Sequence, residues 1–414
     1  MVGPFLPDDE KLPALREALP ATAAGIYLNT GSAGPMPRET ARAMAELEGV
    51  ELRTGRADMA YWEDSKQRMD EARAAVAAVL GTDPRRMALT HATTDGMNVA
   101  TWAIDWQAGE RAVTTGIEHA GALGPLWALR ERMGVEVVVA DVGDGGDPAA
   151  VLTALERAIT PGTRLVAVSH VSYATGAVLP VKEIVELGHS RGALVVLDGA
   201  QAVGAMPVPV EEIGPDFYSV PGQKWLLGPE GTGVLYCAPS VLDRPRQTFA
   251  GYAGFESMSL TLEGEPWPDA RRFEASTHHQ PSILGFARST AWLSMYVGLP
   301  WVYERTARLA ADVAASLAQI PGVTVVTPRD HMAGLITFRI AGWKSAEALR
   351  ELARRTLCIA RTIPALDAIR ISVGFFNTEG EMRRFREGVA LVAANTPGTM
   401  PHKPKIEVIR GGME

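Results

Sequence analysis

Two stretches decide the fold: ALVVLDGAQAVG at 193–204 and DFYSVPGQKWLLGPEGTGVLY at 216–236. The run 193–198 is short, apolar and β-branched, the pattern of a strand buried on both faces, and it ends in Asp198. An Asp at the carboxyl end of a parallel strand lies at the crevice where open α/β sheets bind ligands, and its carboxylate there can meet a cationic ring nitrogen. The second stretch leaves a strand at 216–220 and reaches Lys224, bracketed by Gly and Pro turns and flanked by Trp225 and Leu226. Partial desolvation of such a lysine lowers its pKa and makes the neutral amine available for Schiff-base chemistry. Taken singly, Asp198 also reads as a helix cap and Lys224 as a surface lysine with a snorkelling stem.

Outward from these stretches, β-rich runs recur at 86–91, 111–115, 135–140, 164–169 and 232–237, making seven strands with 193–198 and 216–220. Helix-period segments at 95–104, 120–133, 147–159 and 180–191 alternate with them, which predicts βαβ units in a mainly parallel sheet. The link from 220 to 232 is too tight for a helical crossover and predicts one antiparallel strand. Past residue 280 the pattern changes to long helices at 281–297 and 299–319, strands at 322–327, 334–339, 357–361 and 368–373, and a helix at 379–394. The expected organisation is an N-terminal segment (1–30) packing on the small domain or a partner subunit, a large domain (31–280), a smaller α+β domain (281–396) and a tail (397–414).

A chain of 414 residues exceeds what one hydrophobic core usually organises, so two domains are the natural reading. The net charge of −8 and the lack of Lys/Arg runs argue against nucleic acid as a partner. With only seven lysines in the chain, one set among apolar residues is informative. Two cysteines, Cys237 and Cys358, make neither a disulfide scaffold nor a zinc cluster, and a reducing cytoplasm is expected. No apolar stretch reaches the roughly 18 residues that span a bilayer, and residues 1–20 lack the layout of a signal peptide, so no membrane partner is expected.

Further chemistry sits beside the strand ends. His119, in TTGIEHAGALG, follows a strand and begins a helical stretch, where a flat imidazole can stack on an aromatic ring or merely cap the helix. In HATTDGMN, Thr93 and Thr94 lead into a helix whose free N–H groups suit a phosphate, although a threonine N-cap is nearly the same structure. His278 and His279 have no further ligands at metal-site spacing and are expected near a subunit boundary. GDGGDP (143–148) and GPEGTG (228–233) match no phosphate-binding loop and read as turns.

In order along the chain, YLNTGSAGPMP (27–37), HATTDGMN, IEHAGALG, SHVSYATGAVLP, LDGAQAVG, GQKWLLGPEGTGVLY, RRFEAST (271–277) and IRISVGFFNTEGEM (369–382) resemble the class-V group of fold-type-I pyridoxal-phosphate enzymes. That group includes cysteine desulfurases, isopenicillin N epimerases and cysteine or cystine C–S lyases. The resemblance implies an aspartate-aminotransferase-like α/β fold and a pyridoxal 5'-phosphate cofactor. By it, Lys224 is the Schiff-base lysine, Asp198 the partner of the pyridine nitrogen and His119 the ring-stacking residue. Gln201 donates near the phenolic oxygen, while Thr93, Thr94 and Gln223 hold the phosphate. Thr277 reaches the phosphate of the neighbouring subunit, implying a homodimer with shared active sites. Arg370 grips the α-carboxylate of a small amino-acid substrate, with Arg361, Ser32 and Tyr173 as further substrate contacts.

Two departures narrow the expected reaction. Desulfurases carry a Ser or Thr and then His before the lysine, where Pro221 and Gln223 stand here, so the phosphate contacts are redistributed. Desulfurases also place a nucleophilic cysteine on a loop before the carboxylate arginine, whereas the stretch from Arg361 to Arg370 is short and has none. The C–S lyases share that short segment, the RFE-x-x-T stretch and the tryptophan after the lysine. The expected activity is β-elimination on L-cysteine, L-cystine or a related S-conjugate, giving pyruvate, ammonia and a sulfur product. Epimerisation and transamination need the same lysine and Asp and stay open, as does desulfuration with persulfide transfer.

Overall fold

The computed structural model describes residues 7–242 and 246–401; of the expected tail, the part beyond Pro401 lies outside them. Seven strands form the large sheet: β1 Met87–Thr90, β2 Arg111–Thr115, β3 Glu136–Ala140, β4 Thr163–Ser169, β5 Leu194–Asp198, β6 Phe217–Pro221 and β7 Gly233–Cys237. Their order is β1-β7-β6-β5-β4-β2-β3, and β7 alone runs antiparallel to its neighbours. Strands β1, β6 and β7 are buried at every position, because helices cover both faces of the sheet.

This topology brings chemistry to one edge. The carboxyl ends of β1, β2, β4, β5 and β6 all point the same way, and the loops that follow them carry Thr93 and Thr94, His119, Tyr173, the residues after Asp198, and Lys224. The crevice outside the strand ends of an open α/β sheet is where ligands bind.

A second, antiparallel sheet is built from β8 Val323–Val325, β9 Leu335–Ile340, β10 Arg361–Ile363 and β11 Ala368–Ser372, in the order β8-β9-β11-β10. The strand expected over 357–361 divides. Leu357 adopts a left-handed conformation (φ 58°) at the end of helix Ser345–Thr356, and Cys358–Ile359 then pairs in parallel with Ile26–Tyr27. Only from Arg361 does the chain join the sheet, where Arg361 lies directly opposite Arg370. The long helices after residue 280 are Gln280–Ala291 and Leu299–Ala318, joined by a π-helical segment Trp292–Gly298. The Lys11 ammonium, on helix Asp8–Ala18, donates to the Val297 carbonyl of that segment (2.7 Å). Arg16 of the same helix pairs with Glu381.

Candidate active site

Asp198 ends β5 nearly buried, and its Oδ1 accepts the Ala200 N–H at 2.9 Å. No helix starts here, since turns follow Asp198 up to helix Val210–Ile213, so the helix-cap alternative does not hold; the bond closes a turn, and the other carboxylate oxygen stays available to the crevice. Lys224 follows β6 by three residues; burial draws its ammonium down to about 8, although Asp198 pulls the other way. His119 caps helix Ala120–Met133 through Nδ1, which accepts the Gly121 N–H at 3.0 Å. A ring accepting at Nδ1 carries its proton on Nε2 when neutral. Burial, reinforced by the charge of Lys224, holds this imidazole below its ordinary value. Tyr173 meets it edge-on, with ring centroids 4.9 Å apart. Capping and cavity-lining are therefore one arrangement.

At the helix after β1 the structure corrects the threonine N-cap. The cap is Ala92, whose side chain accepts nothing, and Thr93 opens the helix Thr93–Trp102. Its first N–H groups are left without intrahelical partners. Thr93 Oγ1 and Gln223 Oε1 are buried and unbonded among the described residues. Threonine hydroxyls and helix-start N–H groups are a phosphate's donor set.

Across the crevice, Ser32 Oγ receives Nη1 of Arg361 at 3.3 Å and Nη2 of Arg370 at 3.4 Å, while donating to Asn29 Oδ1 at 2.9 Å. Arg370 also donates to the Tyr173 carbonyl (3.0 Å), and its Nε is buried without a partner. Burial and the adjacent Arg361 charge hold the Arg370 guanidinium below its ordinary value. Guanidinium does not deprotonate in proteins, so what relieves this pair is a bound anion. Among the described residues no carboxylate lies within ion-pair distance of either arginine.

Eleven of the twelve residues picked out in the sequence line one cavity of about 220 Å³. The exception is Thr277, which lines a separate cavity of about 360 Å³ with Trp62, Tyr252 and Trp267. Neither Cys237 nor Cys358 touches the first cavity: both are buried, one in β7 and one in the strand beside Ile26. His278, expected near a subunit boundary, lines the Thr277 cavity and stacks on His91 at 4.5 Å. Sequence reading passed over Glu118, although it adjoins His119. Its buried carboxyl, pushed up to about 7 by burial, is held by the hydroxyls of Thr115 and Ser169 beneath Asp198. It passed over the pair His170–Tyr218 as well (2.8 Å).

The family description Aminotransferase class-V matches residues 26–385. The chain belongs to this family. A probable cysteine desulfurase of Methanothermobacter thermautotrophicus is 28% identical over 92% of this chain and 97% of its own. The isopenicillin N epimerase of Streptomyces clavuligerus is 29% identical over 88% and 94%. Among solved structures, the cystine C–S lyase C-DES superposes with TM-scores of 0.85 and 0.84 at 25% identity. These matches cover 91% and 90% of this chain and 98% and 99% of that one. One of these structures holds glycine linked covalently to its pyridoxal-phosphate cofactor, the other the reaction product cysteine persulfide. Pyridoxal phosphate is the cofactor of the class-V family. The donors here fit it: threonine hydroxyls and a helix start for a phosphate, a carboxylate for a ring nitrogen and a lysine whose amine is available. Among the described residues no helix is long and apolar enough to cross a membrane.

Proposed function

We propose that this chain is a pyridoxal-phosphate-dependent carbon–sulfur lyase acting by β-elimination on L-cysteine, L-cystine or a related cysteine S-conjugate. One observation carries the reading: the cavity joins a low-pKa lysine to two guanidinium groups without carboxylate partners, and its wall contains no thiol. Arginines so placed suit an α-carboxylate, and a site without a nearby thiol has no acceptor for persulfide transfer.

Pyridoxal phosphate, when bound, supplies an electron sink for the substrate's α-carbon. Thr93, Thr94, Gln223 and the start of their helix would hold its phosphate, Asp198 its ring nitrogen, and the His119 face its ring. Lys224 would carry the cofactor covalently through its amine until substrate displaces it. Arg370, with Arg361 and Ser32, orients the carboxylate so that the α-proton faces Lys224. The freed amine takes that proton, a role for which a pKa near 8 is well matched. The Cβ–S bond then breaks with its electron pair on sulfur, and water hydrolyses the released enamine to pyruvate and ammonia. Thr277 would complete the phosphate site of a neighbouring copy in a homodimer, and the two unpaired cysteines suit a cytoplasmic enzyme.

The likeness to an epimerase favours one other reading, in which the proton returns to the α-carbon and no bond to sulfur breaks. The purified protein, incubated in turn with L-cystine, L-cysteine and L-alanine, distinguishes the two. Pyruvate and sulfur release without an amino acceptor are expected from the first two. Alanine racemisation, or transfer that requires an acceptor, would replace the lyase reading.

A further inference from the structure

Gln201 is almost entirely buried, and both ends of its amide are engaged. Its Nε2 donates to the Gly31 carbonyl at 2.8 Å, and its Oε1 accepts the indole N–H of Trp225 at 3.0 Å. Neither neighbour is ambivalent, for an indole nitrogen only donates and a carbonyl only accepts. The amide therefore has one possible orientation, whereas glutamine orientation is commonly a matter of choice. With Oε1 accepting from the indole and one Nε2 proton on Gly31, the unused proton that Gln201 has for the cavity it lines is the second one on Nε2.

Trp225 is itself fixed. It is buried next to Lys224, and a Cβ at Gly334 would collide with the far edge of the indole. A Cβ at Gly204, whose φ is +90°, would stand 2.6 Å from the Trp225 carbonyl oxygen. Gly334 lets the far edge of the indole pack close and Gly204 lets the chain pass its backbone, and in this position the indole N–H lies on Gln201.

From this geometry we infer that Trp225 is a positioning residue: it locks the Gln201 amide so that the cavity meets a hydrogen-bond donor and never an acceptor. The inference rests on the cofactor reading proposed above, in which that donor faces the phenolic oxygen of pyridoxal phosphate. A donor on that oxygen stabilises its negative charge and weakens its hold on the proton shared with the Lys224 linkage. That proton then leaves at lower pH. Without the indole N–H, Oε1 is buried with no donor and turns toward the cavity, and the effect reverses.

The test is a pH titration of the visible absorbance of the cofactor-loaded protein. Trp225→Phe removes the donor while leaving a smaller aromatic ring in its place. Its absorbance midpoint is expected to rise by on the order of one pH unit. Gln201→Leu should raise the midpoint similarly, and the double variant no further, because Trp225 acts through Gln201. A Trp225→Phe midpoint equal to that of the unaltered protein overturns the inference, as does a further rise in the double variant. A merely structural tryptophan would lower the melting temperature and leave the midpoint in place. Failure of the cofactor reading looks different, since no visible band dependent on Lys224 would form at all.

Discussion

On the proposed reading Lys224 is the residue on which the chemistry turns, and its titration follows from where β6 delivers it. Burial penalises the ammonium more than Asp198 supports it, and the charges of Arg370 and Arg361 add to the penalty, which leaves the group near 8. An exposed lysine titrates near 10.4, so at neutral pH the buried amine is free in about two hundredfold more molecules. Mixing cofactor-free protein with pyridoxal phosphate over a range of pH should therefore show visible absorbance forming faster as pH rises, with a midpoint near 8 and a plateau above it. Lys224→Arg should form no such band. A midpoint near the ordinary lysine value would mean that the cavity does not desolvate the amine. The arginines obey the same physics with the opposite outcome, because a guanidinium cannot shed its proton and must wait for an anion.

At the scale of elements, the segment Ala270–Thr277 is held by a buried ion pair. Arg73, on helix Met59–Leu80, donates to both carboxylate oxygens of Glu274 at 2.7–2.9 Å, and Glu274 also accepts the Leu89 N–H of β1 at 2.8 Å. One carboxylate thus ties a helix, the strand leading to Thr93 and the segment carrying Thr277. Removing one partner of a buried pair strands the other charge, so Arg73→Met should cost about 3–5 kcal/mol in denaturant unfolding. Adding Glu274→Gln should recover much of that loss, and a simple sum of the two single effects would contradict the coupling. Neither partner announced itself in the sequence, since residues 201 apart share no local signal and helix Met59–Leu80 lies outside the strand–helix alternation that revealed the sheet. Where periodicity and strand ends govern, the reading held: the seven strands, the antiparallel β7 and the meeting of Asp198 with Lys224 were all legible. Long-range partners such as Glu118 with Ser169, and the division of 357–361 at Leu357, depend on which backbones lie side by side, which local patterning does not encode.

For the molecule as a whole, the placement of Thr277 raises the question of assembly. It lies outside the cavity holding Lys224, on a face with the exposed aromatics Trp62 and Tyr252. Large apolar side chains clustered on a surface commonly mark a protein interface. In the two-fold dimer proposed above, a residue that serves the neighbour's site would be supplied reciprocally, so each site would need Lys224 from one copy and Thr277 from the other. Lys224→Ala and Thr277→Val proteins, each inactive or impaired alone, should regain activity when unfolded together and refolded as a mixture. Random pairing makes half the dimers hybrid, each with one intact site, so recovery should reach about a quarter of the unaltered rate. If Thr277 instead served its own subunit, every hybrid site would carry one of the two defects, and mixing would restore nothing.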